Sequence, residues 1–334
     1  MNQNITIIGA GSWGSALARI ASDNGCPVML YDVDQPTIDE INTHHTNLSK
    51  LPNGVLSELV TGTTDIQKAL DFSHIILLVV PTKVLRMVLE TIKPHLRVPK
   101  LFVNASKGLE PMTYKRVSEV VTDVLGNDLV SGFVALTGPS HAEEVIQQML
   151  TVVCSASESV ANAKLIQKIF SNQQYFRVYT SEDVVGAELG GALKNIIALA
   201  SGILVGLGYG DNARAALVTR GLVEIQKIAL SFGAKEATLF GLTGLGDLVV
   251  TCYSEHSRNF QAGKKIGSGK DLIKVLNEMT MVVEGARTCE AAYFASKARH
   301  LETPIIDTVY RIIYLKHEPH GEIMCLMKRS LKSE

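Results

Sequence analysis

Near its beginning the chain runs Gly9-Ala10-Gly11-Ser12-Trp13-Gly14, preceded by the apolar run Ile5-Thr6-Ile7-Ile8 and followed by a helical pattern at 15–21. A strand, Gly-x-Gly-x-x-Gly and a helix in this order are typical of a dinucleotide-binding turn. The first glycine permits the tight turn, the second admits a pyrophosphate, and the third lets the helix pack on the strand. The N–H groups that begin the helix would face the phosphates. The pattern therefore predicts that Gly9, Gly11 and Gly14 bind a nicotinamide or flavin dinucleotide.

Short glycine motifs also arise by chance, and an ordinary strand-to-helix turn is the alternative interpretation. A second apolar strand, Pro27-Val28-Met29-Leu30-Tyr31, ends at Asp32. Asp32 follows Gly9 by about the number of residues at which, in dinucleotide-binding domains, an acidic residue hydrogen-bonds the adenosine ribose. This spacing favours the dinucleotide interpretation and adds Asp32 to the expected cofactor site.

Composition narrows the class of protein. A chain of 334 residues is long enough for two domains, and its net charge of -1 gives no general attraction to nucleic acid. Five scattered cysteines lack metal-ligand spacing, and the first strand begins too early to leave room for a signal peptide. We expect a cytoplasmic protein with reduced thiols and no metal. The uncharged run 195–210 is short and contains glycine, which indicates a buried helix and no integral membrane segment.

Strand and helix patterns alternate in the first half and give way to helices in the second. Beyond the first two strands, strands are predicted at 74–80, 101–105, 134–136, 151–155 and 176–179, with helices at 82–92, 114–125, 140–148 and 159–170. Continuous apolar strands indicate burial on both faces, as in a parallel sheet. Later helices are predicted at 186–206, 212–232, 271–278, 288–299 and 304–315. We expect an α/β, Rossmann-type doubly wound domain over 1–184 and an all-helical domain over 185–334.

Two loop segments of the first half could bind a ligand. Lys107-Gly108 follows an apolar strand, where a lysine could meet an anion, and a solvated loop lysine is an equal alternative. Gly138-Pro139-Ser140 follows another strand, and Gly138 would allow close backbone approach. Ser140 suits a helix N-cap, which by itself explains that residue.

Gly190 and Gly191 interrupt a helical pattern that also carries Lys194. Each glycine costs about 1 kcal/mol relative to alanine, a cost that makes sense where another backbone or a flat ring comes close. Lys194 shares their face of the helix. Snorkelling to the surface is the alternative, but a lysine beside an apolar run favours a functional role.

A glycine-rich segment at 241–248 carries Asp247, and Ser257-Arg258-Asn259 follows it. The segment either places Asp247 for function or is a simple turn. The hydroxyl, guanidinium and amide donors of the triplet suit a phosphate. The alternative is a helix start, with Ser257 as its cap and a solvated arginine.

Together these segments resemble one family, the bacterial NAD(P)-dependent glycerol-3-phosphate dehydrogenases. The match runs from residue 9 to residue 285 and covers nearly the whole chain. The matching stretches are 9–14, Ser106-Lys107-Gly108-Leu109-Glu110, Gly138-Pro139-Ser140, Leu189-Gly190-Gly191-Ala192-Leu193-Lys194-Asn195, Gly244-Leu245-Gly246-Asp247-Leu248, Ser257-Arg258-Asn259 and Val282-Val283-Glu284-Gly285.

The resemblance implies reversible reduction of dihydroxyacetone phosphate to sn-glycerol 3-phosphate with NADH or NADPH, a step that supplies phospholipid synthesis. It implies that Lys194 is the catalytic acid/base. The implied substrate-site residues are Lys107, Gly138, Ser140, Lys194, Asp247, Ser257, Arg258 and Asn259. The implied cofactor contacts are Ser12, Trp13, Lys107, Ala142, Arg258, Val282 and Glu284.

The chemistry suits these residue types. Hydride delivery leaves negative charge on the ketone oxygen, which an ammonium can stabilise and protonate. We therefore expect catalytic roles for Lys194, Asp247 and Lys107. Burial beside cations would lower the pKa of Lys194 and a nearby Asp247 carboxylate would raise it, and the sequence leaves that balance open. Asp32 would repel a 2′-phosphate, so we expect NAD to be used at least as well as NADP.

Two alternatives remain at this point. A β-hydroxyacid or phosphosugar-acid dehydrogenase would share the same two-domain architecture, with the triplet at 257–259 holding a carboxylate. A non-catalytic dinucleotide sensor would need the glycine turn but not Lys194 and Asp247 together. The phosphorylated substrate is the expected small-molecule partner. The apolar helical half is compatible with a homodimer, although a buried core and an interface look alike in sequence.

Overall fold

The computed structural model describes residues 3–271, 274–275, 283–331 and 333. The chain divides into two compact units, Met1–Glu188 and Leu189–Glu334. The first combines strands and helices, and the second is helical throughout its described residues. The expected fold class, a doubly wound α/β domain followed by a helical domain, is confirmed.

One eight-stranded sheet forms the centre of the first unit. Its strands are β1 (Ile5–Ile8), β2 (Val28–Tyr31), β3 (Val60–Thr63), β4 (Ile75–Leu78), β5 (Lys100–Asn104), β6 (Val130–Thr137), β7 (Thr151–Ala156) and β8 (Phe176–Ser181). They lie in the order β3-β2-β1-β4-β5-β6-β7-β8. All neighbours are parallel except β6 and β7. The strand order reverses between β1 and β4, the place where such sheets bind ligands.

Helices cover both faces of this sheet. They are α1 (Ser12–Asp23), α2 (Gln35–His44), α3 (Ile66–Phe72), α4 (Thr82–Ile92), α5 (Val117–Leu125), α6 (Ala142–Val145) and α7 (Val160–Phe170). Successive strand residues enter opposite cores. Ile7 and Leu77 lie in one buried cluster, and Ile8 and Leu78 lie in another. This two-sided burial explains why the strands are continuously apolar.

Several expected elements differ from those observed. The sequence patterns did not predict β3, α2 or α3. The strand Val60-Thr61-Gly62-Thr63 has one large apolar residue and lies at the sheet edge, so it lacks the pattern of a central strand. The helix expected at 114–125 begins only at Val117, because Arg116 is extended and occupies the N-cap position, and Tyr114 before it has a left-handed φ of 58°. The helix expected at 140–148 is reduced to Ala142–Val145.

The helical unit begins within one long helix, α8 (Val184–Gly206), and contains most of it. The other helices are α9 (Asp211–Ser231), α10 (Glu236–Leu239), α11 (Asp247–Tyr253), α12 (Arg258–Gly267), α13 (Glu284–Ala298), α14 (Pro304–Tyr314) and α15 (Pro319–Met327). A π-helical turn, Leu242–Gly246, leads into α11. The sequence patterns did not predict α10, α11 or α15, and the helix start at Ser257, considered only as an alternative, is the start of α12. The helix expected at 271–278 falls mostly outside the described residues.

Helix α8 is largely apolar on all sides, and its residues from 186 to 204, including the polar Glu188, Lys194 and Asn195, are all buried. By length and composition it is the one described helix that could cross a membrane alone. The bent pair Glu236–Tyr253 and Arg258–Gly267 passes the same test as a unit. In α8, 89% of the most apolar window is buried within the protein. A helix that is apolar on every side and enclosed by protein is a core helix.

Helices α8 and α12 pack with their backbones in contact. A Cβ atom added to Gly202 of α8 would lie 2.0 Å from the carbonyl oxygen of Phe260. In return, a Cβ on Gly263 of α12 would lie 2.0 Å from the carbonyl oxygen of Leu199. Glycine on both helices is therefore what sets their separation.

We predict that Gly202→Ala destabilises the protein, although alanine alone favours a helix by about 1 kcal/mol. The added methyl group must displace α12, and overpacking of this kind costs about 1–3 kcal/mol. Urea unfolding followed by circular dichroism measures the change. The matched control is Gly210→Ala, because Gly210 has an ordinary φ of -87° and no atom within 4 Å of the added Cβ. Equal stabilities for the two variants would contradict the predicted contact.

Candidate active site

The glycine turn after β1 is shaped by close contacts at its two ends. Gly9 has a φ of 111°, and a Cβ there would lie 2.7 Å from the carbonyl oxygen of Val79. A Cβ on Gly14 would lie 2.0 Å from the carbonyl oxygen of Gly9. At Gly11, by contrast, an added Cβ meets no described atom within 4 Å. The turn is therefore closed at its first and third glycines and open at its second.

Helix α1 begins at this turn with Gly11 as its N-cap, and no side chain caps it within the described part of the chain. The Ser12 hydroxyl instead donates to the Lys50 carbonyl at 2.9 Å. Trp13 is half-buried and packs against the core. Uncapped N–H groups at a helix start can bind an anion.

Asp32 lies at the end of β2 and is joined to the glycine turn. Its Oδ2 accepts the Ala10 N–H at 2.8 Å, and its Oδ1 accepts the Asp34 N–H at 3.1 Å. Each bond uses one of several acceptor positions on a carboxylate. The side chain is therefore oriented by the backbone and retains capacity to accept hydroxyl groups.

Three expected substrate residues meet at the ends of β5 and β6. The Lys107 ammonium donates to the Gly138 carbonyl at 2.8 Å, and the Ser140 hydroxyl donates to the same oxygen at 3.1 Å. Gly138 has a φ of 152°, and a Cβ there would lie 2.9 Å from the Cα of Val153. Lys107 is half-buried, so the interpretation as a fully solvated lysine is wrong.

The N-cap expected at Ser140 is also wrong. Helix α6 starts at Ala142 and has His141 in the N-cap position. The Ser140 hydroxyl is engaged with the carbonyl two residues before it, which is a turn contact rather than a cap. Ser140 thus contributes to the Gly138 cluster instead of starting the helix.

The loop after Lys107 is fixed by an ion pair between the buried Glu110 and the half-buried Arg86. Arg86 donates to both carboxylate oxygens of Glu110, at 2.7 and 3.0 Å, and also to Asp123 at 2.8 Å. Burial acts to raise the pKa of Glu110, but the hydrogen bonds from Arg86 and Thr113 outweigh it and hold the pKa below its usual value. The carboxylate therefore stays charged and anchors the loop.

In the helical unit, Lys194 and Asp247 form a buried ion pair. Their exposed fractions are 4% and 1%. The Lys194 ammonium donates to Asp247 Oδ1 and, at 2.6 Å, to the Thr251 hydroxyl. Asp247 and Thr251 lie one turn apart on α11, where Thr251 donates to the Asp247 carbonyl. Snorkelling of Lys194 to the surface is thereby excluded.

Gly190 allows the Asp247 segment to approach α8. A Cβ on Gly190 would lie 2.6 Å from the carbonyl oxygen of Thr243, which belongs to the turn that leads into Asp247. The cost anticipated for Gly190 is therefore accounted for by the close approach of another backbone.

A second group of polar residues lies at the starts of α12 and α13. Ser257 caps α12, and its hydroxyl accepts the Phe260 N–H at 3.2 Å. The Asn259 Oδ1 accepts the Gly285 N–H at 2.8 Å, which joins the two helix starts. Arg258 and Glu284 are the first residues of their helices and are partly exposed. Val282 lies outside the described residues.

Sequence analysis did not assign Thr251 or Asn195 to the site. The spacing of Asp247 and Thr251, four residues apart in a helical segment, was the available signal for Thr251. Asn195 follows Lys194, and a Cβ on Gly285 would lie 2.4 Å from its carbonyl oxygen. Cys252 follows Thr251, but burial raises the pKa of its thiol to about 12. The thiol is therefore neutral and unsuited to act as a nucleophile.

Comparison with known proteins gives a consistent result across the chain. The model of the NAD-dependent glycerol-3-phosphate dehydrogenase N-terminus matches residues 4–163, and that of the C-terminus matches residues 183–324. The glycerol-3-phosphate dehydrogenase [NAD(P)+] of Geobacillus thermodenitrificans is 48% identical over 332 residues, covering 99% of this chain and 96% of the relative. Its counterpart from Enterococcus faecalis is 45% identical, covering 100% and 98%.

A solved structure shares the whole fold. The glycerol-3-phosphate dehydrogenase of Coxiella burnetii superimposes with a TM-score of 0.92 at 35% identity, covering 98% of this chain and 99% of that one. The family models, the relatives and this structure agree over both units. The chain belongs to the NAD-dependent glycerol-3-phosphate dehydrogenase family.

Proposed function

We propose that the protein reversibly reduces dihydroxyacetone phosphate to sn-glycerol 3-phosphate with NADH or NADPH and so supplies phospholipid synthesis. The observation that carries this proposal is the buried Lys194, whose ammonium contacts Asp247 and Thr251. A charged lysine is rarely buried unless it is paired, and burying such a pair is more easily explained by a functional role than by packing. In a chain of this family, proton transfer to a substrate oxygen supplies that purpose.

The residues of the first unit suit a nicotinamide dinucleotide. Open space at Gly11 and the uncapped start of α1 would accept the pyrophosphate. Asp32 would accept hydroxyls of the adenosine ribose. Ser12, Trp13 and Ala142 in this unit, and Arg258, Val282 and Glu284 in the other, are the further proposed cofactor contacts. When bound, the cofactor supplies the hydride.

Lys194 is the proposed acid. Reduction places negative charge on the ketone oxygen, and an ammonium within hydrogen-bond reach stabilises that charge and donates its proton. The adjacent Asp247 carboxylate favours the protonated lysine, and the Thr251 hydroxyl accepts a second of its N–H groups and so helps to orient the ammonium. In the reverse direction the neutral lysine accepts the alcohol proton.

Arg258 and Lys107 are the proposed phosphate ligands, because guanidinium and ammonium groups form strong charge-assisted bonds to phosphate. Asn259 uses its Oδ1 for the Gly285 N–H, which leaves its amide nitrogen as a donor. Ser257 caps α12 by accepting the Phe260 N–H, which leaves its hydroxyl O–H as a donor to the substrate. Gly138 and Ser140 complete the proposed substrate contacts.

The alternatives explain fewer observations. A dinucleotide sensor has no use for a buried Lys194–Asp247 pair. A β-hydroxyacid dehydrogenase shares the architecture, but the family of this chain and its phosphate-type donors favour a phosphorylated ketone.

Dihydroxyacetone phosphate should be the preferred substrate when NADH oxidation is followed spectrophotometrically over a panel of ketones. Unphosphorylated dihydroxyacetone and simple keto acids should be poorer by about 10²-fold or more in kcat/KM, because they lack the charge-assisted phosphate bonds. Turnover of a keto acid without turnover of dihydroxyacetone phosphate would establish the hydroxyacid alternative instead.

In the same assay, Lys194→Ala should lower kcat by about 10²- to 10⁴-fold, the usual contribution of a general acid. Binding of NADH, measured by its fluorescence, should be retained. Lys100→Met is the matched control, since Lys100 is also buried but donates to the carbonyls of Leu70 and Ser73. The control should lose stability and keep its turnover. A turnover that Lys194→Ala leaves unchanged would remove the proposed acid.

We predict that wild-type kcat/KM is at least as high with NADH as with NADPH, because the Asp32 carboxylate repels a 2′-phosphate. Asp32→Asn keeps an acceptor for the Ala10 N–H and removes the charge. The ratio of NADPH to NADH efficiency should then rise by about tenfold, as expected for a repulsion of roughly 1–2 kcal/mol. Asp39→Asn removes one charge from the exposed face of α2 and should leave the ratio unchanged. A strong NADPH preference in the wild type would contradict the assignment.

We also propose a cytoplasmic homodimer, consistent with five free cysteines and with an apolar groove on the helical unit. The groove has a volume of about 1230 Å³ and is lined mainly by residues of α8, α9, α14 and α15. Met324 and Met327 of α15 line it and are 39% and 76% exposed. A second copy would remove this apolar surface from water. Sedimentation equilibrium should give twice the chain mass, and a monomer at micromolar concentration would refute the proposal.

A further inference from the structure

The two polar groups of the helical unit are joined by a short segment. Asp247 and Thr251 lie on α11, which ends at Tyr253, and four residues separate it from Arg258, where α12 begins. Any bend in that segment would change the separation between the proposed acid and the proposed phosphate ligand. The contacts that hold the junction are therefore relevant to catalysis.

Arg214 of α9 reaches the end of α11. Its Nη2 donates to the carbonyl oxygen of Cys252 at 3.0 Å. The Ser201 hydroxyl of α8 donates to the same oxygen at 2.9 Å. A cation at a helix C-terminus also interacts favourably with the helix dipole. Arg214 thus binds the last turn of the helix that carries Asp247.

The same guanidinium contacts an aromatic ring on each side of the junction. Its Cζ lies 4.3 Å from the ring centroid of Tyr253, which ends α11, and 5.3 Å from that of Phe260, in the first turn of α12. Both distances are within the range of a cation–π interaction. One planar group therefore contacts both helices at once.

The surroundings of Arg214 strengthen these contacts. The Arg214 side chain is 14% exposed. Its Nη1 lies 3.6 Å from Oδ1 of Asp211, whose side chain is 91% exposed. An exposed pair of this kind contributes little. Among the described residues its Nε has no hydrogen-bond partner. The Arg214 guanidinium is therefore held mainly by its hydrogen bond to one buried carbonyl and by its contacts with two aromatic rings, and its attraction to a carboxylate adds little.

We propose that Arg214 is a positioning residue, whose guanidinium ties the end of α11 to the start of α12 and fixes Lys194–Asp247–Thr251 relative to Ser257–Arg258–Asn259. The inference rests on the proposed function, because it assigns Arg258 to the substrate phosphate. Arg214 acts through these residues and need not touch the substrate.

The test compares Arg214→Met and Arg214→Lys with the wild type on dihydroxyacetone phosphate and on dihydroxyacetone. Arg214→Met should lower kcat/KM for the phosphorylated ketone by roughly 10- to 100-fold, as expected for a displacement of about 1 Å. The ratio of the two efficiencies should fall by about tenfold, because dihydroxyacetone makes no use of the phosphate ligands. Arg214→Lys keeps a donor for the Cys252 carbonyl but loses the planar contacts, so its ratio should be intermediate.

Arg299→Met is the matched control. Arg299 stacks on the ring of Phe232 with its Cζ 3.8 Å from the centroid, so this variant also removes a cation–π contact within the helical unit. It should leave the ratio of the two efficiencies unchanged. A residue that only stabilises the fold would lower thermal stability in both variants without altering that ratio.

An unchanged ratio in folded Arg214→Met would overturn the proposal. If circular dichroism shows that this variant does not fold, an unchanged ratio in Arg214→Lys would overturn it instead. A wild type that shows no preference for the phosphorylated ketone would remove the proposed function, and this inference with it. The wild type therefore tests the proposed function, and the Arg214 variants test the proposed positioning role.

Discussion

The arrangement of α8 and α11 centres on one interaction, the buried contact between the Lys194 ammonium and the Asp247 carboxylate. Withdrawing two charges from water is costly, and their attraction offsets that cost only when the geometry is good and further hydrogen bonds are made. Thr251 supplies such a bond. Loss of either charged partner from a buried pair typically costs about 3–5 kcal/mol. Because burying two charges is costly, the presence of this pair says little about the stability of the fold and more strongly indicates a functional role.

Helix α8 can hold this pair because other elements approach its backbone closely. The turn before Asp247 contacts α8 at Gly190, and α12 contacts it at Gly202. Between these points Lys194 and Ser201 bond the first residue and the last turn of α11. Helix α8 therefore carries the proposed acid, Lys194, and holds the proposed phosphate-binding segment at the start of α12 through backbone contact. Its apolar composition provides burial, and its glycines and two polar side chains determine what is attached.

The sequence predicted well those elements whose structure is determined by residues close to one another in the chain. Two-sided apolar strands and the glycine turn at 9–14 follow from short-range patterns, and both were found. The edge strand Val60–Thr63 lacks such a pattern, because only Val60 supplies a large apolar side chain. The hydroxyl of Ser140 bonds Gly138 rather than capping α6, a competition between two local partners that composition does not resolve. Burial of Lys194 required tertiary contacts, which the sequence indicated only through the glycines on its face and the apolar run beside it.

In the proposed cofactor site, Asp32 couples the choice between NAD and NADP to the stability of the glycine turn. Its carboxylate accepts the Ala10 N–H inside the turn and the Asp34 N–H beyond β2. A change to a basic or apolar residue would remove the negative charge that disfavours a 2′-phosphate, but it would also leave the Ala10 N–H without this acceptor. A buried or half-buried N–H without a partner costs about 1–3 kcal/mol. A change toward NADP is therefore easiest through a neutral residue that still accepts a hydrogen bond, because such a residue removes the repulsion and preserves the turn.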